Sequence, residues 1–237
     1  MFAAFCFLFS KLRSVIQEYP LHSVFLGNTP RTFRMSDVHK IAQTLTEEGN
    51  AARVHFQIWW ALRNQTNLEK FYYVMNNREY AEFFAATPSA HFKSFLLALA
   101  TIFNRDNRVA GLSEFRRALT AERRPDLANY IEKRLFDFGD RITPVLNMRS
   151  QSLVHSNRAL SRDEVYKLNM IPYDDVREVI DVTCETINHV LIELGINVTI
   201  FDGDRGERAT MRMLETLAGG NRLVNRFKNL LRFHHVQ

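Results

Sequence analysis

Phe92-Lys93-Ser94-Phe95-Leu96-Leu97-Ala98-Leu99-Ala100-Thr101-Ile102-Phe103 is the stretch that decides the fold class. Phe92, Phe95, Leu96, Leu99, Ile102 and Phe103 recur at i, i+3, i+4 and i+7, which gathers them on one face of a helix. The same period runs through most of the chain. Val38, Ile41 and Leu45 follow the good helix caps Ser36 and Asp37. They predict a helix over about 37–63, interrupted near Gly49-Asn50, that presents Val54, Ile58, Ala61 and Leu62. Trp59-Trp60 fall in this helix and read as core residues rather than a base-stacking platform. A second segment starts near Asn67 and carries Phe71, Tyr72 and Tyr73. Thr87-Pro88 predict a kink or a restarted helix. A short helix over about 113–122 has Ser113 as its candidate cap.

The next pattern opens at Pro125. Ile131, Leu135, Phe138, Ile142 and Val145 follow at spacings of four, three, four and three, and four more residues reach Arg149. The arginine takes the next step of an inward-facing stripe, where a charge must find a partner or line a cleft. Pro144 predicts a kink just before it. After a polar link, 156–172, Asp174 or Asp175 caps a helix carrying Val176, Val179, Ile180, Ile187, Val190, Leu191 and Leu194, with Gly195 as its stop. Asp202-Gly203-Asp204 reads as a turn rather than a calcium loop. Two shorter helices follow, about 207–218 and 221–235.

Composition agrees with an all-α chain. Among 237 residues, glycine (9) and proline (6) are scarce and phenylalanine (19) is abundant. Two cysteines make no disulfide framework, so a reducing, cytoplasmic location is expected. Phe2 to Phe9 is apolar but too short to span a bilayer, and it lacks a signal peptide's basic start. The helical logic begins at Met35, so residues 1–34 are expected to lie outside the domain. Residues 35–237 then form one helical domain whose basic C-terminal helices begin at about 205. The net charge of +5 is concentrated at the ends: +3 over 1–34, +5 over 205–237 and −3 between. Arg222, Arg226, Lys228 and Arg232 lie opposite Leu223, Phe227, Leu230 and Leu231 on a helix, and are candidate nucleic-acid contacts; a solvated basic tail is the other reading.

The chemistry-bearing string is Arg149-Ser150-Gln151-Ser152-Leu153-Val154-His155. A guanidinium clamps phosphate through its planar donor fork, and histidine moves protons near neutral pH. Together they suffice for cutting a phosphodiester whose nucleophile is already in the substrate, as the RNA 2′-hydroxyl is. The string resembles the Arg-x(4–6)-His signature of the HEPN superfamily (higher eukaryotes and prokaryotes nucleotide-binding domain). Leu99-Ala-Thr-Ile-Phe-Asn-Arg-Asp106 and Leu112-Ser-Glu-Phe-Arg-Arg-Ala-Leu119 resemble its AbiU-like abortive-infection branch. The resemblance implies an all-α HEPN-type bundle with flanking helices. It also implies a metal-independent endoribonuclease in phage defence or a toxin–antitoxin pair, leaving a 2′,3′-cyclic phosphate. The rival reading is a non-catalytic module that binds nucleic acid, a nucleotide or a partner protein.

Arg149 and His155 are the implied catalytic pair, with Ser150 and Ser152 as supporting residues. The family usually has Asn, Asp or His after the arginine, so Ser150 is a departure. Asn104, Arg105 and Asp106 match the second stretch but read more simply as a helix-ending cap. On one regular helix Arg149 and His155 would stand about 120° apart and about 9 Å along the axis. A bend at the helix end or a second subunit must therefore close the site, and the resemblance favours a homodimer. RNA and an antitoxin protein are the expected partners, with no membrane, cofactor or metal. The sequence carries no Cys-x-x-Cys, His-Glu-x-x-His or phosphate-binding glycine loop.

Overall fold

A computed structural model of the chain describes residues 37–106, 108–149, 172–197 and 199–233; the side chains of 148, 149 and 221–233 lie outside that description. The described residues belong to the unit Met35–Gln237, and the expectation for residues 1–34 falls outside them. Nine helices and no strands occur among the described residues. They are α1 (Asp37–Arg63), α2 (Gln65–Lys70), α3 (Tyr72–Met75), α4 (Ala81–Ile102), α5 (Leu112–Ala121), α6 (Pro125–Phe136), α7 (Gly139–Arg149), α8 (Tyr173–Glu193) and α9 (Arg205–Phe233). The all-α expectation holds, and no described helix is long and apolar enough to cross a membrane.

α1 and α4 form the central antiparallel pair. Phe56 meets Phe95 edge-on at 5.4 Å and Trp59 meets Phe92 at 5.5 Å, a geometry aromatic pairs favour. α1 is continuous through Gly49, which is glycine because a Cβ there would come within 2.4 Å of the buried Ile200 side chain. Its buried face is Val38, Ile41, Ala42, Leu45, Ala52 and Phe56, continued by Ala61 and Leu62, whereas the expected Val54 is exposed. α4 is also continuous, and starts six residues before the expected restart at Thr87-Pro88; Pro88 is buried inside it. Phe92, Phe95, Leu96, Leu99 and Ile102 are all in the core, as their spacing required.

The expected helix over 125–149 is two helices, broken at Asp137-Phe138 rather than at Pro144. The apolar stripe still runs through the break, with Ile131 and Val145 both at 1% exposure. α6 and α7 run antiparallel to α8 in one register. Arg124 donates to the Glu193 carbonyl, Tyr130 packs on His189, Arg134 pairs with Glu185, and Arg141 pairs with Glu178. The same register carries Arg149, the last residue of α7, roughly one helical turn beyond the start of α8.

Several ends differ from expectation. Gly111, not Ser113, is the N-cap of α5: there is no room for a Cβ among the carbonyls of Thr101, Ile102 and Asn104. α8 begins at Tyr173 with Pro172 before it, and Asp174 and Asp175 sit in its first turn, where carboxylates suit the dipole. Its end matches expectation: Gly195 (φ 65°) and Ile196 return their amides to the carbonyls of Ile192 and Leu191, a Schellman motif. Gly203 (φ 81°) makes the expected turn. α9 is one helix, not two. It starts parallel to α1, with Gly206 against the Val54 carbonyl and Leu214 in a cluster with Leu62, Phe71, Val74 and Met75.

Candidate functional site

Arg149 closes α7 at one end of the bundle. Val145, one turn earlier, is buried against the core, so the last turn of α7 is held in place. Arg141 adds a second tether, pairing with Glu178 and lying 3.7 Å from Asp175, both on α8. The Arg149 side chain, Ser150, Ser152 and His155 lie outside the described residues, as do the side chains of Arg222, Arg226, Lys228 and Arg232.

The same end of the bundle holds other polar groups. Tyr173, at the start of α8, stacks on Trp60 at 3.6 Å and on Phe56 at 5.1 Å. The Trp pair is therefore packing material, as the sequence suggested. Burial pushes the Tyr173 hydroxyl up to about 12, against the opposing pull of the Arg177 guanidinium. Arg177 donates to Asp204 at 2.8 Å and lies 3.8 Å from Asp181.

A second arginine holds the chain that leads into α9. Arg53 on α1 is only 5% exposed. It donates to the Phe201 carbonyl at 2.6 Å and to Asp181 Oδ1 at 3.0 Å, with Asp202 at 3.7 Å. Gln57 donates to the Gly203 carbonyl and accepts from the Gly206 amide. Asn188 both donates to and accepts from the Ile200 backbone, and Asn50 accepts from the Phe201 amide. Backbone groups of Ile200, Phe201, Gly203 and Gly206 are thus met by side chains of α1 and α8, which tethers the start of α9.

Between the first turns of α8 and α9 lies a cleft of about 430 Å³, lined by Arg177, Asp204, Glu207, Arg208, Met211 and Arg212. Arg208 and Arg212 are exposed and have no carboxylate partner among the described residues. Sequence reading placed its basic residues further along, at 222–232, and missed these. The available signal was the i, i+3, i+7 spacing of Arg205, Arg208 and Arg212. The carboxylates that complete the cleft come from a turn, which periodicity does not reveal.

The remaining candidates are structural. Asn104 accepts from the Asp106 amide, and Asp106 binds Arg108 through both oxygens. That hydrogen bonding from Arg108 holds the Asp106 carboxyl below its ordinary range. The trio orders the turn after α4, close to the expected cap, although Phe103 itself is the C-cap. His189 packs on Tyr130. No group of three or more His, Cys, Asp or Glu able to hold a metal occurs among the described residues. Cys184 is free and buried, its thiol raised to about 12 by burial.

Helical architecture, the Arg-x(5)-His string and the helix end that carries its arginine together describe a HEPN domain. The AbiU2 family model (HEPN_AbiU2) matches residues 35–207, and the chain belongs to that family of abortive-infection-related HEPN modules. No curated protein and no solved structure matched the chain.

Proposed function

We propose that this protein is a metal-independent endoribonuclease of abortive infection, or of a toxin–antitoxin pair, acting in the cytoplasm. The observation that carries the reading is the position of Arg149, the terminal residue of a helix pinned to the bundle, in a chain of the AbiU2 family. A guanidinium at a helix end, with a histidine six residues on, supplies phosphate binding and proton transfer to one place once the chain turns or a second subunit joins. Arg149 stabilises charge on the scissile phosphate. His155 takes the proton from the 2′-hydroxyl or delivers one to the leaving 5′-oxygen. The product is a 2′,3′-cyclic phosphate. Ser150 and Ser152 orient these groups.

The deciding experiment is RNA cleavage by purified protein in excess EDTA. Arg149→Ala and His155→Ala each abolish it, and any growth arrest on overexpression, while circular dichroism stays unchanged. Histidine proton transfer typically accounts for ~10²–10⁴-fold in rate. The double variant is little worse than either single one, because groups acting as a unit are not additive. Ser150→Asn, which restores the residue usual in the family, preserves or raises activity. Light scattering reports about twice 27.7 kDa, a homodimer that brings the two α7 ends together. One observation favours a second reading: Ser150 replaces a residue type usual beside the catalytic arginine. A wild type that binds RNA but cuts none would establish the non-catalytic module.

A further inference from the structure

We propose that the cleft between the first turns of α8 and α9 binds one guanine nucleotide of single-stranded RNA, with Arg208 and Arg212 on its phosphates and Glu207 on its base. The size suits the ligand: about 430 Å³ falls within the range of small-ligand sites. Its charges divide into two kinds. Arg177 and Asp204 neutralise each other at 2.8 Å and are tied into the fold through Asp181. Arg208 and Arg212, one helical turn apart, have no such partner among the described residues. Two unpaired guanidiniums at this spacing offer bidentate forks to the phosphates on either side of a nucleotide.

Glu207 makes the cleft more than a basic patch. It is half-buried, its charge acts on the neighbouring Tyr173 hydroxyl, and no hydrogen bond or ion pair holds it among the described residues. A carboxylate on a wall would repel a bare phosphate. It suits the Watson–Crick edge of guanine, whose N1–H and N2–H donors match its two oxygens, and a single strand, unlike a duplex, presents this edge. Adenine and cytosine each offer one donor there beside an acceptor, and uracil offers one between two acceptors. Position links the cleft to the candidate chemistry, because α8 starts where α7 ends. A strand crossing the Arg149 end could place a neighbouring nucleotide here. This inference rests on the ribonuclease reading for its substrate class, but its test is independent of cleavage.

The test measures binding by His155→Ala protein of uridine oligonucleotides carrying a single G, A or C. The guanine oligonucleotide binds tightest. Glu207→Gln removes that preference, on the order of tenfold, since one bidentate base contact is at stake. Arg208→Gln with Arg212→Gln weakens all oligonucleotides and flattens the log–log salt dependence by about 1.4, the share of two phosphates of a single strand. Lys133→Gln with Arg78→Gln, two exposed cations outside the cleft, changes neither measure. Equal affinity for the three oligonucleotides, or an unchanged salt slope in the arginine variant, overturns the assignment. So does guanosine monophosphate binding as tightly as the oligonucleotide with the same arginine dependence, which would make the ligand a free nucleotide. Cleavage by wild type without these effects leaves the ribonuclease standing and removes the cleft; the effects without cleavage do the reverse.

Discussion

Arg53 and Arg208 sit on helices of one bundle, and their surroundings could hardly differ more. Arg53 is buried in the seam between α1 and α8, with a carbonyl and a carboxylate within 3.0 Å. Arg208 lies at the mouth of a cleft with no carboxylate partner among the described residues. A charge taken out of water must be matched by the protein, so Arg53 is committed to the fold. A charge left in water keeps its donors for something else. The two regions show how arginines divide between architecture and binding, a division that net charge conceals.

The largest expected effect pits architecture against chemistry. Arg149→Ala removes RNA cleavage and leaves the melting temperature where it was. Arg53→Met does the opposite at first order, lowering stability by about 2–3 kcal/mol, as expected for lost hydrogen bonds to a charged group. Thermal melts and cleavage rates of both variants decide the matter. A stable, inactive Arg53→Met protein would move Arg53 out of the architectural class.

Next comes the far part of α9. Neutralising Arg222, Arg226, Lys228 and Arg232 together weakens RNA binding and flattens its salt slope, by at most about one unit for each lost phosphate contact. An unchanged slope would assign these charges to solvation, leaving binding to the cleft.

The smallest effect tests burial in a different ion. His55 on α1 and His91 on α4 face each other with Nδ1 atoms 2.6 Å apart. Burial lowers both below the ordinary histidine value of 6.5, and the charge of His55 lowers His91 further. At that separation one nitrogen must accept, so both rings cannot be protonated together. Because the folded state prefers neutral rings, their contribution is fully present above pH 6.5. It is lost as pH falls through the lower folded values. Urea midpoints measured across this range should drop on acidification, and His91→Phe should flatten the drop.

Much of the fold was legible because helical periodicity is a local property. The stripe from Phe92 to Ile102, the core faces of α1 and α8, the stop at Gly195 and the turn at Gly203 all follow from residues within a few positions of one another. The errors fall where distant segments intervene. Gly49 reads as a break in the sequence, but it lies inside a continuous helix and is glycine because the Ile200 side chain leaves no room for a Cβ. The split at Asp137-Phe138 leaves the 4-3-4-3 spacing intact, so the pattern could not reveal it.

The sequence by itself determined that the chain is helical, that it carries the Arg149–His155 string of the HEPN superfamily, and that its C-terminal region is basic. Only the tertiary structure decided which charges are already used. Arg53, Arg141 and Arg177 find carboxylates more than 25 positions away on α8 or in the turn before α9. Arg208 and Arg212 find none among the described residues. Pairing across such distances depends on how helices pack, and packing energy is spread over many apolar contacts that no short motif encodes.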